Sequence, residues 1–297
     1  MSFRSGFAGV VGRPNVGKST LVNAMVGAKV AIVSDVPQTT RGRIRGVVTT
    51  PEHQIVFTDT PGFHKPRSRL GARLNKLVGE SLAGVDVCVM VVDGQAGVGR
   101  GDGFVYRRQV APLSVPRLCA VNKIDRMTHR QIVEQLAAAQ ELGEFDEIVP
   151  VSAKTGTGLD ELRGLIAARL PEGPALFPPD EITDQTLEHR VGELIREQAI
   201  LATREEVPHS IAVLVESIEP PESGGGGMTR IHATVLVERD SQKGIVIGKG
   251  GEMLKRIGSQ ARAELEALLG TQVYLELRVK VQKEWQRDDN ALTRLGF

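Results

Sequence analysis

Eight residues near the start, Gly12-Arg13-Pro14-Asn15-Val16-Gly17-Lys18-Ser19, fit the pattern G-x-x-x-x-G-K-S/T without a gap. They follow a short apolar run, Phe7–Val11, and open a helical pattern, Lys18–Val26, which is the setting this motif requires. Glycines allow backbone N–H groups to close around phosphate oxygens, and a helix N-terminus adds a favourable dipole. Lys18 is expected to reach β- and γ-phosphates, and the Ser19 hydroxyl to ligate Mg²⁺. Gly12, Arg13, Pro14, Asn15, Val16, Gly17, Lys18, Ser19 and Thr20 form the expected phosphate-side set.

Three further motifs bear on the base and the switch. Asp59-Thr60-Pro61-Gly62 ends a β-rich run. A carboxylate there can hold Mg²⁺, usually through water, and the Gly62 amide can meet a γ-phosphate and release it after hydrolysis. Asn122-Lys123-Ile124-Asp125 ends another such run. Asp125 can accept from both the ring N–H and the exocyclic amine of guanine. Adenine would leave that carboxylate unpaired, a mismatch that discriminates strongly. Asn122 is expected to brace the loop, and the Lys123 stem to lie along the base. Ser152-Ala153-Lys154 follows a third run and can donate from its backbone to the guanine carbonyl. Any one tetrapeptide is weak evidence. All four in this order, at strand C-terminal ends where open α/β sheets bind ligands, are specific for guanosine triphosphate and diphosphate.

The polar segment Val33–Arg41 sits where a first switch loop belongs, and Thr40 is favoured over Thr39 as the hydroxyl that caps Mg²⁺. Its plain alternative is a solvated loop. Phe63 takes the position where many such enzymes carry a water-orienting Gln, so slow intrinsic hydrolysis is expected. Phe63 is still counted on the nucleotide-contact side. Arg41, Arg67 and Arg69 read as solvated arginines rather than charge donors.

These motifs need a scaffold. The 297 residues suggest two domains at about 150 residues each. Hydrophobic residues at 41% and charged residues at 25% are ordinary for a globular protein. A net charge of +1 means that polyanion binding must come from a local patch. To about Leu170, Val/Ile-rich runs (Phe7–Val11, Arg43–Val48, Gln54–Asp59, Val85–Asp93, Arg117–Asn122, Glu147–Val151) alternate with helical patterns (Lys18–Val26, Leu70–Leu82, Arg130–Leu142, Leu159–Leu170). That alternation predicts an α/β domain, residues 1–171, with a mainly parallel sheet. A Pro-rich stretch follows, read as a linker over 172–186.

Residues 187–297 then predict a separate α+β domain in the order α-β-β-α-α-β. Its parts are a helix at Leu187–Leu201, strands at Ser210–Ile218, Ile231–Val237 and Val273–Val281, and a helical pair over Gly244–Leu269. Gly224–Gly227 reads as a flexible hairpin tip. Gly248-Lys249-Gly250-Gly251 forms a G-x-x-G loop between the paired helices, the KH signature whose loop clamps nucleotide backbones. From Arg239 to Arg262 six basic residues face two acids, which suits phosphate contact. Lys243, Gly248, Lys249, Gly250, Gly251, Lys255 and Arg256 are the expected RNA-side residues. Trp285 reads as packing rather than base stacking. Cys88 and Cys119 lie in apolar runs and read as reduced core residues. No apolar stretch approaches the ~18 residues that span a bilayer, so a cytoplasmic protein is expected.

On Gly12–Ser19, Pro37-Gln-Thr-Thr-Arg41, Asp59–Phe63, Asn122–Asp125, Gly248–Gly251 and the closing Ala291–Phe297, the chain resembles the Era family of bacterial ribosome-assembly GTPases over both domains. The resemblance implies a P-loop GTPase domain followed by a type II KH domain. The implied partners are the 3′ end of 16S rRNA and the maturing 30S subunit, with RNA stimulating hydrolysis. It also implies a loose peripheral association with the inner membrane face. In related GTPases with Asn at the Asn15 position, K⁺ plays the part of an arginine finger, which adds K⁺ to GTP/GDP and Mg²⁺ as a candidate. Lys18, Thr40, Asn15 and Gly62 are thus the candidates for assisting hydrolysis. DNA is not an expected partner, and a monomer is expected. A nucleotide-stabilised RNA-binding scaffold is the competing class, against which the intact Lys18, Ser19 and Asp59 argue.

Overall fold

The computed structural model describes residues 2–37, 39–62, 69–221 and 227–295. The chain divides into two compact units, Met1–Arg67 with Gly71–Asp184, and Ser68–Leu70 with Gln185–Phe297.

The first unit runs β1 (Arg4–Val11), α1 (Lys18–Val26), β2 (Ile44–Thr49), β3 (His53–Asp59), α2 (Arg69–Leu82), β4 (Val87–Asp93), α3 (Arg100–Val105), β5 (Arg117–Asn122), α4 (His129–Gln140), β6 (Glu147–Pro150) and α5 (Leu159–Arg169). The sheet order is β2-β3-β1-β4-β5-β6, with β2 antiparallel to β3 and the other pairs parallel. This is the mainly parallel α/β sheet that the alternation predicts.

Period-two geometry explains why β4 is apolar throughout. Val87, Val89 and Val91 join one core with residues of α1 and α5, including Leu21 and Ile166. Cys88, Met90 and Val92 point the other way, against Val78 and Leu82 of α2 and Ala139 of α4. Cys119 of β5 lies on that second face, and both thiols are free and buried. Burial pushes the Cys88 thiol up to about 12 and raises Cys119 as well.

Two features of this unit differ from the periodicity-based reading. The glycine-rich stretch after β4 forms α3 and continues as a π-turn, Tyr106–Val110. Glycines hide this helix in the sequence, but Asp102 accepts from the Gly99 N–H at 3.0 Å and so fixes its first turn. The Pro-rich segment is hydrogen-bonded along the first unit. Gln54, fully buried, accepts from the Leu176 and Phe177 amides and donates to the Phe177 carbonyl. The Val47 N–H donates to Ile182 O at 2.9 Å, covering part of the β2 edge.

The second unit runs α6 (Leu187–Ala202), α7 (Val207–Ser210), β7 (Ala212–Glu219), β8 (Thr229–Val237), α8 (Asp240–Ile247), α9 (Glu252–Leu269), β9 (Val273–Val281) and α10 (Asp289–Arg294). Its sheet order is β7-β8-β9, antiparallel then parallel. The core follows two periods. Val191, Ile195 and Ala199 on α6 and Ile257, Ala261 and Leu265 on α9 form buried stripes, and Ile231, Ala233, Val235 and Val237 form the inner face of β8. Trp285 is fully buried and donates to Ser210 O at 2.9 Å, so it packs as expected. Of the Gly224–Gly227 tip, all but Gly227 lies outside the described residues. Among the described residues no helix is long and apolar enough to cross a membrane.

Candidate functional site

The loop between β1 and α1 is folded by its own side chains and by β5. Gly17 caps α1 at φ 97, and a Cβ there would lie 2.3 Å from Asn122 Nδ2, so only glycine fits. Asn122 uses both ends of its buried amide. Nδ2 donates to Val16 O at 2.9 Å, and Oδ1 accepts from the Ala153 N–H at 3.0 Å. One side chain thus ties the phosphate loop to the Ser152–Lys154 loop.

Lys18 is buried, and its ammonium donates to Gly12 O at 3.2 Å and Arg13 O at 3.0 Å. Burial pushes its pKa down to about 8, against the opposing pull of Asp59. Ser19 Oγ donates to Asp59 Oδ2 at 2.7 Å and lies 2.9 Å from Thr40 Oγ1. Thr40 itself donates to Asp59 Oδ2 at 3.4 Å. Thr39 turns elsewhere, to Ser34 Oγ and Val36 O. The structure therefore brings Ser19, Thr40 and Asp59 together and leaves Thr39 out.

Burial raises the Asp59 pKa, offset by Lys18, by the two hydroxyls and by the Thr60 amide. Its Oδ1 is buried without a hydrogen-bond partner. An orphaned carboxylate oxygen beside two hydroxyls is an all-oxygen donor set suited to a hard divalent cation such as Mg²⁺.

On the base side, Ser152 Oγ donates to Asp125 Oδ1 at 2.7 Å and orients that carboxylate. Lys123 Nζ donates to Asn15 O at 2.9 Å, crossing to the phosphate loop. Asn15 Nδ2 donates to Asp35 O at 2.6 Å, which ties the phosphate loop to the Val33–Arg41 segment.

One open cleft is lined by Pro14, Asn15, Gly17, Lys18, Ser19, Thr20, Thr40, Gly62, Asn122, Lys123, Asp125, Ala153 and Lys154. Other expected residues support it from outside. The Arg13 guanidinium pairs with buried Asp102 at 2.7 Å, Val16 is core, and Thr60 Oγ1 donates to Val10 O at 2.8 Å. Gly12, Pro61, Ile124, Ser152 and Asp59 also do not line the cleft. Phe63 and Arg67 lie outside the described residues. Arg69 is exposed as expected, but Arg41 is buried rather than solvated, next to buried Thr39 and Thr40 in the chain. The motifs missed Ile32, Val33, Ser34, Asp35 and Arg126, which also line the cleft. Only the position of Val33–Arg41 as a polar interruption signals Val33, Ser34 and Asp35.

In the second unit, Gly248 ends α8 at φ 73, and a Cβ there would lie 2.9 Å from the Met253 amide nitrogen. α9 then starts with no side-chain cap, which leaves its first N–H groups open. Lys249, Gly250, Lys255 and Arg256 are exposed, and Lys243 and Gly251 are half-buried. A groove between α9 and β9 continues from this loop. It is floored by Leu254, Leu275 and Leu277 and edged by Lys255, Arg262 and the half-exposed Tyr274. Basic side chains with an aromatic and an aliphatic floor suit single-stranded nucleic acid. Tyr274 and the leucines read as ordinary strand and helix positions in the sequence, so the groove itself is not legible there.

Comparison with known proteins agrees with both domains. Residues 7–123 match a family described as 50S ribosome-binding GTPase, and residues 206–286 match the KH domain. The chain is 51% identical to the GTPase Era of Mycobacterium bovis over 298 residues, covering 99% of each protein, and equally similar to that of Mycobacterium tuberculosis. It superposes at a TM-score of 0.95 on Era in complex with MgGDPNP and nucleotides 1506–1542 of 16S ribosomal RNA, with 41% identity over 99% of each chain. A variant of Aquifex aeolicus Era bound to GDP·AlF4⁻ superposes equally well, at 40% identity and 99% coverage of each chain.

Proposed function

Because the chain belongs to the Era family of GTPases, we propose that it is a GTP-hydrolysing switch that binds the 3′ end of 16S rRNA through its KH unit. On this reading it acts in 30S subunit assembly. Its place is the cytoplasm, with a loose peripheral contact to the inner membrane face carried over from the family resemblance. The observation that carries the reading is the convergence of four sequence-distant motifs on one cleft, with Ser19 and Thr40 lining it and the buried, partnerless Asp59 oxygen behind them.

Asp125 accepts from the ring N–H and amine of guanine, held in aim by Ser152. Ala153 and Lys154 offer backbone N–H groups to the guanine carbonyl, and the Lys123 stem lies along the ring. Lys18 gives up its two carbonyl partners in the loop for the β- and γ-phosphates. Burial holds its pKa down to about 8 against the pull of Asp59, and a triphosphate beside it favours the charged form. Ser19, Thr40 and Asp59 would hold Mg²⁺, and the ion would supply charge neutralisation at the β- and γ-oxygens. Gly62 donates its amide to the γ-phosphate, a contact that ends with hydrolysis. The Asn15 amide oxygen is the candidate ligand for K⁺. Gly248–Gly251, Lys243, Lys255 and Arg256 hold the RNA backbone.

Nucleotide binding and turnover with GTP and ATP test this reading, alongside Lys18→Ala. Saturable GTP hydrolysis that ATP does not match and that Lys18→Ala abolishes is expected. Hydrolysis indifferent to the base, or unaffected by Lys18→Ala, would overturn it.

A further inference from the structure

Asp93 closes β4 and belongs to none of the nucleotide motifs. Its side chain is 12% exposed, and both oxygens are engaged. Oδ2 accepts from Lys123 Nζ at 2.5 Å, and Oδ1 accepts from the Ala96 N–H at 3.0 Å. Asp93 is in register with Asn122, and the Gly94 N–H donates to Asn122 O at 2.9 Å. The backbone that carries the carboxylate is therefore fixed to the strand that delivers Lys123.

Lys123 sits at φ 70, a conformation uncommon for a side-chain-bearing residue. Its far end is held twice, by the Asp93 carboxylate and by the Asn15 carbonyl. A lysine is a point charge on a flexible four-carbon stem. Left free, that charge would swing towards any bound phosphate and take the stem with it. Tethered at both ends, the stem runs from the base-recognition loop to the phosphate loop and lines the cleft on the way.

We propose that Asp93 is a positioning residue for guanine-nucleotide binding. By holding the Lys123 ammonium it stretches the stem into a preordered apolar platform for the purine ring. The proposal rests on the reading of the cleft as a guanine-nucleotide site.

The test uses the full chain as Asp93→Asn and Asp93→Glu, with steady-state GTP hydrolysis and competition by GDP and by inorganic triphosphate, which has phosphates but no base. With slow chemistry KM reports binding. Loss of one charge-assisted bond should raise the KM for GTP and the Ki for GDP in Asp93→Asn by about tenfold. The kcat and the Ki for inorganic triphosphate should be unchanged, and Asp93→Glu should recover most of the loss. GTP and GDP binding at the wild-type level in Asp93→Asn overturns the proposal. So does equal weakening of inorganic triphosphate, or a fall in thermal stability without a change in KM. If the wild-type chain itself binds neither GTP nor GDP, the nucleotide-site reading falls first and the proposal falls with it.

Discussion

Replacing Asn122 with alanine removes two hydrogen bonds at once, and both partners are backbone groups. The side chain is 2% exposed. Its Nδ2 satisfies Val16 O in the phosphate loop, and its Oδ1 satisfies the Ala153 N–H in the base loop. Alanine leaves a buried carbonyl and a buried amide without partners. Each such group costs about 1–3 kcal/mol, so the sum is about 2–6 kcal/mol. In a unit of this size 1 kcal/mol moves the melting midpoint by about 2–4 °C, which predicts a fall of roughly 5–20 °C. Asn122→Asp keeps the acceptor for Ala153 but turns an oxygen towards Val16 O, so it should be no better tolerated. Differential scanning calorimetry without nucleotide reads both variants. A melting midpoint for Asn122→Ala within about 2 °C of wild type would refute the reasoning, since the brace would then carry no weight.

Asp125→Asn exchanges an acceptor for a donor facing guanine, so GTP affinity should fall by about 100-fold or more and xanthosine triphosphate should bind in its place; unchanged GTP affinity on a nucleotide titration would contradict the base assignment. Thr40→Ala should raise the Mg²⁺ concentration needed for half-maximal hydrolysis while Thr39→Ala leaves it unchanged, because only Thr40 meets Ser19 and Asp59. Burial pushes the Cys88 thiol up to about 12, so neither cysteine should react with a disulfide reagent at pH 8 until the chain is unfolded. Because the folded value lies above the unfolded one of about 8.5, the associated stability is complete below that pH and declines as pH rises above it. Denaturation midpoints between pH 7 and 10 read this trend, and a midpoint rising with pH would contradict it.

How much of this was legible in the sequence depends on the range of the interaction concerned. Lys18–Val26 and Val273–Val281 are set by local periodicity and flanking glycines, and the structure places both elements as read. The four nucleotide motifs are contiguous strings, so their residue types survive without coordinates. α3 was not legible, because Gly101 and Gly103 mask a helix whose first turn is fixed by Asp102 and whose Asp102 is in turn paired with Arg13, distant in sequence. The same holds for the Pro-rich segment, whose composition reads as a linker. Its attachment depends on Gln54, a single polar side chain that reaches backbone groups more than a hundred residues away. Spacing alone left Thr39 and Thr40 close competitors, and the orientation of each hydroxyl separates them. Asp93 was invisible for a related reason: an acid at a strand end is ordinary until the lysine it holds is seen.

The central claim is that a guanine-nucleotide site and an RNA site on one chain are coupled. It is tested by GTP hydrolysis in K⁺ buffer with and without an RNA oligonucleotide carrying the 3′ end of 16S rRNA, using Gly248→Asp as the control. Gly248 is suited to that purpose, because its positive φ and its closeness to the Met253 amide exclude a side chain. The account predicts stimulation by RNA that the substitution abolishes while hydrolysis without RNA is kept. RNA that binds the wild-type chain without changing its hydrolysis rate would contradict it.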